Sequence, residues 1–427
     1  MKIRVGLLGL GTVGAGVYQI ITKHQEELFS KTGRQIELSK ILVRDRKKKR
    51  GFDIPEELLT DQVDEILEDP SIDLVIEVMG GISLSYEYIQ KALKKKKHVI
   101  TANKDVIALH GGALQQLAKE NECDLFYEAS VAGGIPIIRT LIDGFSSDKI
   151  TKILGIVNGT TNYILTKMSQ DGKSYEEALK EAQDLGFAEP DPTADVEGLD
   201  AARKILILAH TAFSMKVELE DVSTKGISSI TQGDIEYAKQ LGYVIKLIGL
   251  AEKTGDGVEV GVQPMLIPQT HPLASVHNEY NAVYVYGSAV GETMFYGAGA
   301  GSMPTATSIV SDLVMVVRNQ ILGISSQGIR ETQFEKKLLA QRDIKAKFFL
   351  RIHVKDEIGV FSKIAEIFLR HHLSFESIVQ KPVEQNCGAE IIIITHAVSL
   401  QSFMDSKVDI EAMDEVVEII NCFRVMQ

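Results

Sequence analysis

The chain opens on Ile3 to Leu8, a short and nearly continuous apolar run of the kind that forms a strand buried on both faces of a parallel sheet. Apolar positions at helical spacing follow from about Val13 to Phe29, then a second strand-like run from Ile36 to Val43. Short apolar runs at Leu74 to Met79, Val99 to Ile100 and Leu125 to Tyr127 alternate with helix-like stretches. This rhythm predicts a Rossmann domain, a doubly wound parallel α/β sheet, over residues 1–130.

Between residues 131 and 301 the pattern becomes mixed α+β, as expected for a substrate-binding, catalytic and dimerisation domain. A strand-like Ile150 to Val157 precedes helices separated by Gly- and Pro-rich turns, and strands recur near Val258 and Val283. Ser174-Tyr175-Glu176-Glu177 is a capping box, with Gly186 as the stop of the helix it opens. A helix from about Thr305 to Ile321 is expected to complete the first domain through residues 302–321. Residues 322–346 read as a polar linker. In residues 347–427, strands at Phe348 to Val354, Ser374 to Gln380, Glu390 to Thr395 and Val416 to Phe423 surround two helices. One helix carries Val360, Ile364 and Phe368 on one face, and the other runs from Leu400 to Met413. The order βαββαβ is ferredoxin-like.

Composition narrows the function. A hydrophobic fraction of 44% with 24% charged residues is globular, and a net charge of −12 argues against coating nucleic acid. The three cysteines, Cys123, Cys387 and Cys422, form no CxxC and no zinc-ligand spacing. The first residues enter a strand directly, without a signal-peptide pattern, and no apolar run has transmembrane length. A cytoplasmic protein with neither membrane nor nucleic-acid partners is expected.

Gly9-Leu10-Gly11-Thr12-Val13-Gly14 is GxGxxG placed after a strand and opening a helix. Glycines there permit a tight turn and close approach of a pyrophosphate to a helix N-terminus, although a plain Gly-rich turn uses the same residues. At the end of the second strand, Arg44 stands where a ribose 2′-phosphate lies and Asp45 beside it suits a 2′-hydroxyl. NADP is favoured over NAD, with dual use open; a solvated basic loop is the plainer account of Arg44 to Arg50.

The segment Gly186 to Lys204 carries the chemistry. Two prolines hold an extended loop presenting Glu189, and Asp195 can cap the next helix. Asp200 and Lys204 lie four apart on one face of a helix that continues into Ile205-Leu206-Ile207-Leu208. A lysine in an apolar helix needs a partner or a shifted pKa, and either suits proton transfer. An ordinary surface ion pair explains the same spacing.

Glu189-Pro190-Asp191-Pro192 with Gly198-Leu199-Asp200-Ala201-Ala202-Arg203-Lys204 resembles the signature of homoserine dehydrogenases. So do Asn158-Gly159-Thr160-Thr161-Asn162, Thr101-Ala102-Asn103-Lys104 and Glu128-Ala129-Ser130-Val131-Ala132-Gly133-Gly134-Ile135-Pro136, all in the family's order. Asp356-Glu357-Ile358-Gly359-Val360 resembles the opening of an ACT domain.

The resemblance implies reversible hydride transfer between NAD(P)(H) and L-homoserine or L-aspartate 4-semialdehyde, in the branch leading to threonine, methionine and isoleucine. Lys204 would handle the hydroxyl proton, Asp200 would orient and tune Lys204, and Lys104 would complete the site near the reacting oxygen. Glu189, Asp195 and Asp200 would bind substrate, with Gly159 and Thr160 lining the pocket; a turn capping a helix that starts near Asn162 accounts for that last pair equally well. Thr101, Lys104, Gly186 and Gly301 would join Gly9 to Gly14 and Arg44 at the cofactor. Glu128, with the carbonyls of Val131, Gly133 and Ile135, would hold a monovalent cation such as Na+. From sequence alone a Gly-rich crossover explains that segment better, and Gly297 to Pro304, a Gly-rich loop running into a helix, reads equally as a hinge or close-packing turn. The ACT module implies threonine as an effector and a homodimer or homotetramer, or a pairing module that has lost its ligand.

Three other functions compete with this one. Aspartate-semialdehyde dehydrogenase needs a nucleophilic Cys, but Cys123 sits between Glu122 and Asp124, which raise a thiol pKa. An aspartate dehydrogenase leaves the Glu189 to Lys204 segment unexplained. A non-catalytic nucleotide- and amino-acid-sensing regulator has no need of Lys204, Asp200 and Glu189.

Overall fold

The computed structural model describes residues 2–325, 333–383 and 388–426. Residues 326–332 of the expected linker, and Cys387, lie outside the described residues. The chain forms two compact units, one of Met1–Ile153, Arg203–Asp221 and Asn281–Lys336, the other of Leu154–Ala202, Val222–Tyr280 and Lys337–Gln427.

The first unit is built on a six-stranded parallel sheet. Its spatial order is Leu59–Thr60, Gln35–Leu42, Lys2–Leu8, Leu74–Glu77, His98–Thr101 and Leu125–Phe126. Val5, Leu7, Leu74 and Ile76 are fully buried, which is why these strands read as continuous apolar runs. The helix Ser302–Leu322 returns here, and its Ile309, Leu313, Val316 and Val317 share a core with Val17, Ile20 and Ile21 of the helix Thr12–Lys23. A Cβ on Gly16 would stand 2.5 Å from the Ser302 carbonyl oxygen, so glycine permits this approach.

The expected single helix from Val13 to Phe29 is two, Thr12–Lys23 and Gln25–Thr32, broken at His24 with φ −106° and ψ 36°. The Gln25 amide donates to the Ile21 and Ile36 carbonyls at 2.6 and 3.0 Å, pinning the bend to the neighbouring strand. Apolar spacing continued through the bend and concealed it.

In the second unit Tyr243–Thr254 and Gly257–Pro268 pair antiparallel, and Val416–Val425 joins Gly257–Pro268 in parallel through Met265 to Arg424 and Leu266 to Val425. The sheet continues through Lys345–Lys355, Gly388–Thr395 and Phe375–Val383. Tyr243–Thr254 was missing from the expected strands; buried from Ile245 to Ala251, it shows no alternation to separate it from a buried helix. The C-terminal module has the expected βαββαβ order, with helices Val360–Arg370 and Leu400–Glu411. Its core joins Ile352, Ile364, Phe368, Ile391 and Phe403, and the Phe348 and Phe403 rings stack at 4.0 Å. No helix among the described residues is long and apolar enough to cross a membrane.

Candidate active site

In the first unit, the turn after Lys2–Leu8 has the geometry a dinucleotide pyrophosphate requires. Gly9 has φ 102°, and a Cβ on Gly14 would lie 2.3 Å from the Gly9 carbonyl oxygen, so both positions demand glycine. Gly11 caps the helix Thr12–Lys23 without a side-chain hydrogen bond, and Gly11 and Thr12 are exposed, leaving the helix N-terminus open to an anion. Leu10 and Val13 are half-buried beside them. Gly301, with φ 113°, precedes Ser302, whose hydroxyl donates to the Thr12 carbonyl at 2.7 Å. Arg44 is exposed two residues beyond the strand Gln35–Leu42, while the Asp45 carboxylate accepts the Lys47 N–H at 2.8 Å.

Thr101 ends its strand buried. Its hydroxyl donates to Glu77 at 2.6 Å and accepts the Asn103 N–H at 3.0 Å. Asn103 caps the helix Lys104–Glu120 by accepting the Val106 N–H, and donates to the Gly81 carbonyl at 2.7 Å. Lys104, half-buried, is the first residue of that helix. Glu77, fully buried, also accepts from the Ser85 hydroxyl and the Met79 N–H. Sequence reasoning missed Glu77; its one signal was a carboxylate closing an apolar strand.

In the second unit the Gly159–Asp171 helix begins three residues before the expected Asn162, because Asn158 is its cap. The Asn158 Oδ1 accepts the Thr161 N–H at 2.9 Å. Gly159 is required by packing, since a Cβ would stand 2.7 Å from the Glu279 carbonyl oxygen. The Thr160 hydroxyl donates to the Phe187 carbonyl at 2.6 Å and so tethers the loop that carries Glu189. Glu189 is exposed, and Gly186 has φ 78° just past the helix Tyr175–Asp184, which opens on the expected capping box.

Asp195, in the short helix Thr193–Val196, and Asp200, at the start of the helix Leu199–Phe213, meet on Asn158. Its Nδ2 donates to Asp195 Oδ1 at 2.7 Å and to Asp200 Oδ2 at 2.9 Å. Asp200 is buried, and Lys204, one turn further along the helix, is half-buried. The next four residues, Ile205 to Leu208, are buried as expected.

In the segment Glu128 to Ile135 the carboxylate oxygens of Glu128 accept the Ile138 and Arg139 N–H groups at 2.7 and 2.8 Å. The Gly133 carbonyl accepts from Ser308 at 2.7 Å, and Val131 and Ile135 are buried. A Cβ on Gly133 would stand 2.4 Å from the Gly299 carbonyl oxygen, so the two Gly-rich loops are glycine-rich because they press together. Asp312, bonded to the Glu128 N–H and to the Arg139 guanidinium, is pushed up to about 7 by burial, against the pull of Arg139. Burial raises Glu128 as well. Two buried carboxylates face one guanidinium here, and oxygen donors of this kind suit a hard monovalent cation. The described residues hold no group of three or more His, Cys, Asp or Glu side chains able to bind a metal.

Residues 9–128 match the homoserine dehydrogenase NAD-binding domain, 136–314 the homoserine dehydrogenase family and 348–403 the ACT domain. The homoserine dehydrogenase of Bacillus subtilis (strain 168) is 57% identical over 424 residues, covering 99% of this chain and 98% of the relative. That of Lactococcus lactis is 39% identical over 437 residues, covering 100% of both. A crystal structure of a homoserine dehydrogenase from Thiobacillus denitrificans superimposes with a TM-score of 0.93 at 37% identity, covering 100% of this chain and 99% of that one. A hyperthermophilic archaeal homoserine dehydrogenase in complex with NADPH superimposes with a TM-score of 0.63 at 27% identity, covering 74% of this chain and 98% of that one. With an NAD(P)-binding domain, a catalytic domain and an ACT domain matched in turn, this chain belongs to the homoserine dehydrogenase family, oxidoreductases of amino-acid biosynthesis.

Proposed function

We propose that the chain interconverts L-homoserine and L-aspartate 4-semialdehyde through Lys204, with the carboxylates of Asp195 and Asp200 as the substrate anchor. The observation that carries this reading is the meeting of Asp195 and Asp200 at the first turn of the helix bearing Lys204. A zwitterionic substrate needs carboxylates for its ammonium group, and an alcohol losing hydride needs a base for its O–H. Asp195 and Glu189 take the ammonium, Asp200 binds substrate and orients Lys204, and Lys204 holds or releases the hydroxyl proton. Lys104 stands at the reacting oxygen and the cofactor, and Gly159 and Thr160 line the substrate. Bound NAD(P) supplies the hydride chemistry.

The cofactor contacts are Gly9 to Gly14, Arg44, Thr101, Lys104, Gly186 and Gly301. NADP is preferred: Arg44 is exposed for a 2′-phosphate, whereas Asp45 is already engaged by the Lys47 N–H. The NADPH complex of the archaeal relative supports the same choice. Glu128, Val131, Gly133 and Ile135 hold a monovalent cation through one carboxylate and three backbone carbonyls. Threonine acts on the ACT domain of a dimeric or tetrameric cytoplasmic enzyme. The ACT domain alone would suit a regulator without turnover, but full-length likeness to homoserine dehydrogenases does not favour that reading.

The test is the initial rate at the reduced-nicotinamide absorbance band with homoserine and either coenzyme, for wild type and Lys204→Ala side by side. Turnover by the wild type that collapses in the variant is expected. A Lys204→Ala enzyme with full activity removes Lys204 from the mechanism, and a wild type inert in both directions removes the activity.

A further inference from the structure

We infer that Asn158 is the positioning residue of the substrate site: its single side-chain amide holds the Asp195 and Asp200 carboxylates together as one receptor for the substrate ammonium. The inference deepens the reading above and rests on it. Asp195 and Asp200 lie 37 and 42 residues from Asn158, on two different helices, yet both bond to the same nitrogen.

The amide is fully committed. A primary amide has two N–H donors, and Nδ2 gives one to each carboxylate. Oδ1 accepts the Thr161 N–H and the Thr161 hydroxyl, both at 2.9 Å. Turning the amide over would aim its oxygen at two carboxylates and its N–H groups at the Thr161 N–H, so only one orientation is compatible with these partners. Asn158 is 5% exposed, which strengthens each bond and makes its loss expensive.

Two carboxylates this close repel one another, and a donor shared between them offsets part of that repulsion. A neutral donor between them adds no charge to compete with a substrate ammonium. An Arg or Lys at position 158 would compete with the substrate ammonium, and a hydroxyl has one proton where two are needed. Because Asn158 also opens the Gly159–Asp171 helix, the receptor is fixed to a rigid element and not to the loop carrying Glu189.

Helix capping and carboxylate positioning separate cleanly by substitution. Asn158→Asp keeps a good capping oxygen, removes both donors and adds a third negative charge; Asn158→Ser keeps a cap and neutrality but retains one donor. The expected result for Asn158→Asp is a fall in kcat/KM for homoserine of about 100-fold or more, with a raised KM for homoserine. The KM for the coenzyme stays near wild type, while the urea midpoint falls with the loss of two buried hydrogen bonds. Asn158→Ser is expected to lose about 10-fold, and it decides the matter should the Asp variant not fold. Wild-type homoserine kinetics in a folded Asp or Ser variant would overturn the inference. A crystal structure of Asn158→Ser supplies a readout without turnover: displaced Asp195 and Asp200 carboxylates support the role and unmoved ones refute it. That readout stands even where the wild type does not turn over homoserine, which would sink the functional reading alone.

Discussion

Arg203 and Asp105 form an ion pair at 2.6 Å, and each is the sequence neighbour of a lysine assigned to the reaction. The pair ties the first turn of the helix Lys104–Glu120 to the helix Leu199–Phe213, so Lys104 and Lys204 extend from two helices locked to each other. Both side chains are partly exposed, and such a pair adds about 1 kcal/mol or less to stability. Its consequence is registry. Arg203→Gln is expected to reduce kcat by about 10-fold or more while leaving the thermal midpoint nearly unchanged. The exchanged pair Asp105→Arg with Arg203→Asp should recover part of the loss; equal kcat in wild type and Arg203→Gln would dismiss the registry role.

Coenzyme choice is expected to respond to Arg44 alone. Arg44→Ala should raise the KM for NADP by about 10-fold, the loss of one charge-assisted phosphate contact, and leave the KM for NAD within about twofold. Steady-state kinetics with both coenzymes reads this directly. Equal changes for the two would show that Arg44 does not meet the 2′-phosphate.

Burial, with Asp124 and Glu122 adding to it, pushes the Cys123 thiol up to about 11. The thiol therefore remains protonated below about pH 10 and is a poor nucleophile at neutral pH. Iodoacetamide at pH 8 should leave Cys123 unmodified in the folded enzyme, by peptide mass mapping, and Cys123→Ser should keep full activity. Loss of activity on alkylation of Cys123 would revive the thiol-dependent rival.

Lys246 is buried, and its ammonium donates to Asn162 Oδ1 at 3.0 Å and to the Val276 carbonyl. Desolvation lowers its pKa to about 8. The unfolded chain then binds the additional proton between about pH 8 and the ordinary lysine value, so this group makes stability rise with pH across that window. Below pH 8 both states are protonated and the contribution is flat. Urea midpoints from pH 7 to 9.5 should show this rise in the wild type and not in Lys246→Met, whose midpoint is lower throughout because Asn162 and Val276 lose their donor. Parallel pH profiles would show that Lys246 titrates normally.

The ACT module is part of the second unit's sheet and not a detachable tail, because Val416–Val425 pairs with Gly257–Pro268. Arg351, about one-tenth exposed, bonds to Asp234 at 3.1 Å and to Glu390 at 2.7 Å, and Asn421 donates to Asp234 at 2.7 Å. Removing the guanidinium leaves the buried Asp234 without its cation and Glu390 half-buried beside it, a cost of about 3 kcal/mol. Arg351→Met should lower the urea midpoint accordingly and alter any threonine inhibition. Ending the chain near residue 340 would strip Val416–Val425 and the three strands beyond it from the sheet, so inhibition is tested with Gly359→Val, which disturbs a φ of 93° at the cap of the helix Val360–Arg370. Unchanged threonine inhibition in that variant would place the effector elsewhere.

The sequence by itself determined the elements and the residue types of the site. Buried parallel strands are continuous apolar runs, GxGxxG states its own backbone geometry, and Asp200 and Lys204 declare a shared helix face by spacing. Its failures were local: apolar spacing continues on both sides of the bend at His24, and the strand Tyr243–Thr254 lies in an apolar stretch where helix and strand look alike. Only the tertiary structure decided which distant polar groups are partners. Asn158 with Asp195 and Asp200, Thr101 with Glu77, Arg203 with Asp105 and Arg351 with Asp234 are each joined across dozens of residues. A hydrogen bond acts over about 3 Å of space and carries no periodic trace along the chain, so the fold alone assigns it.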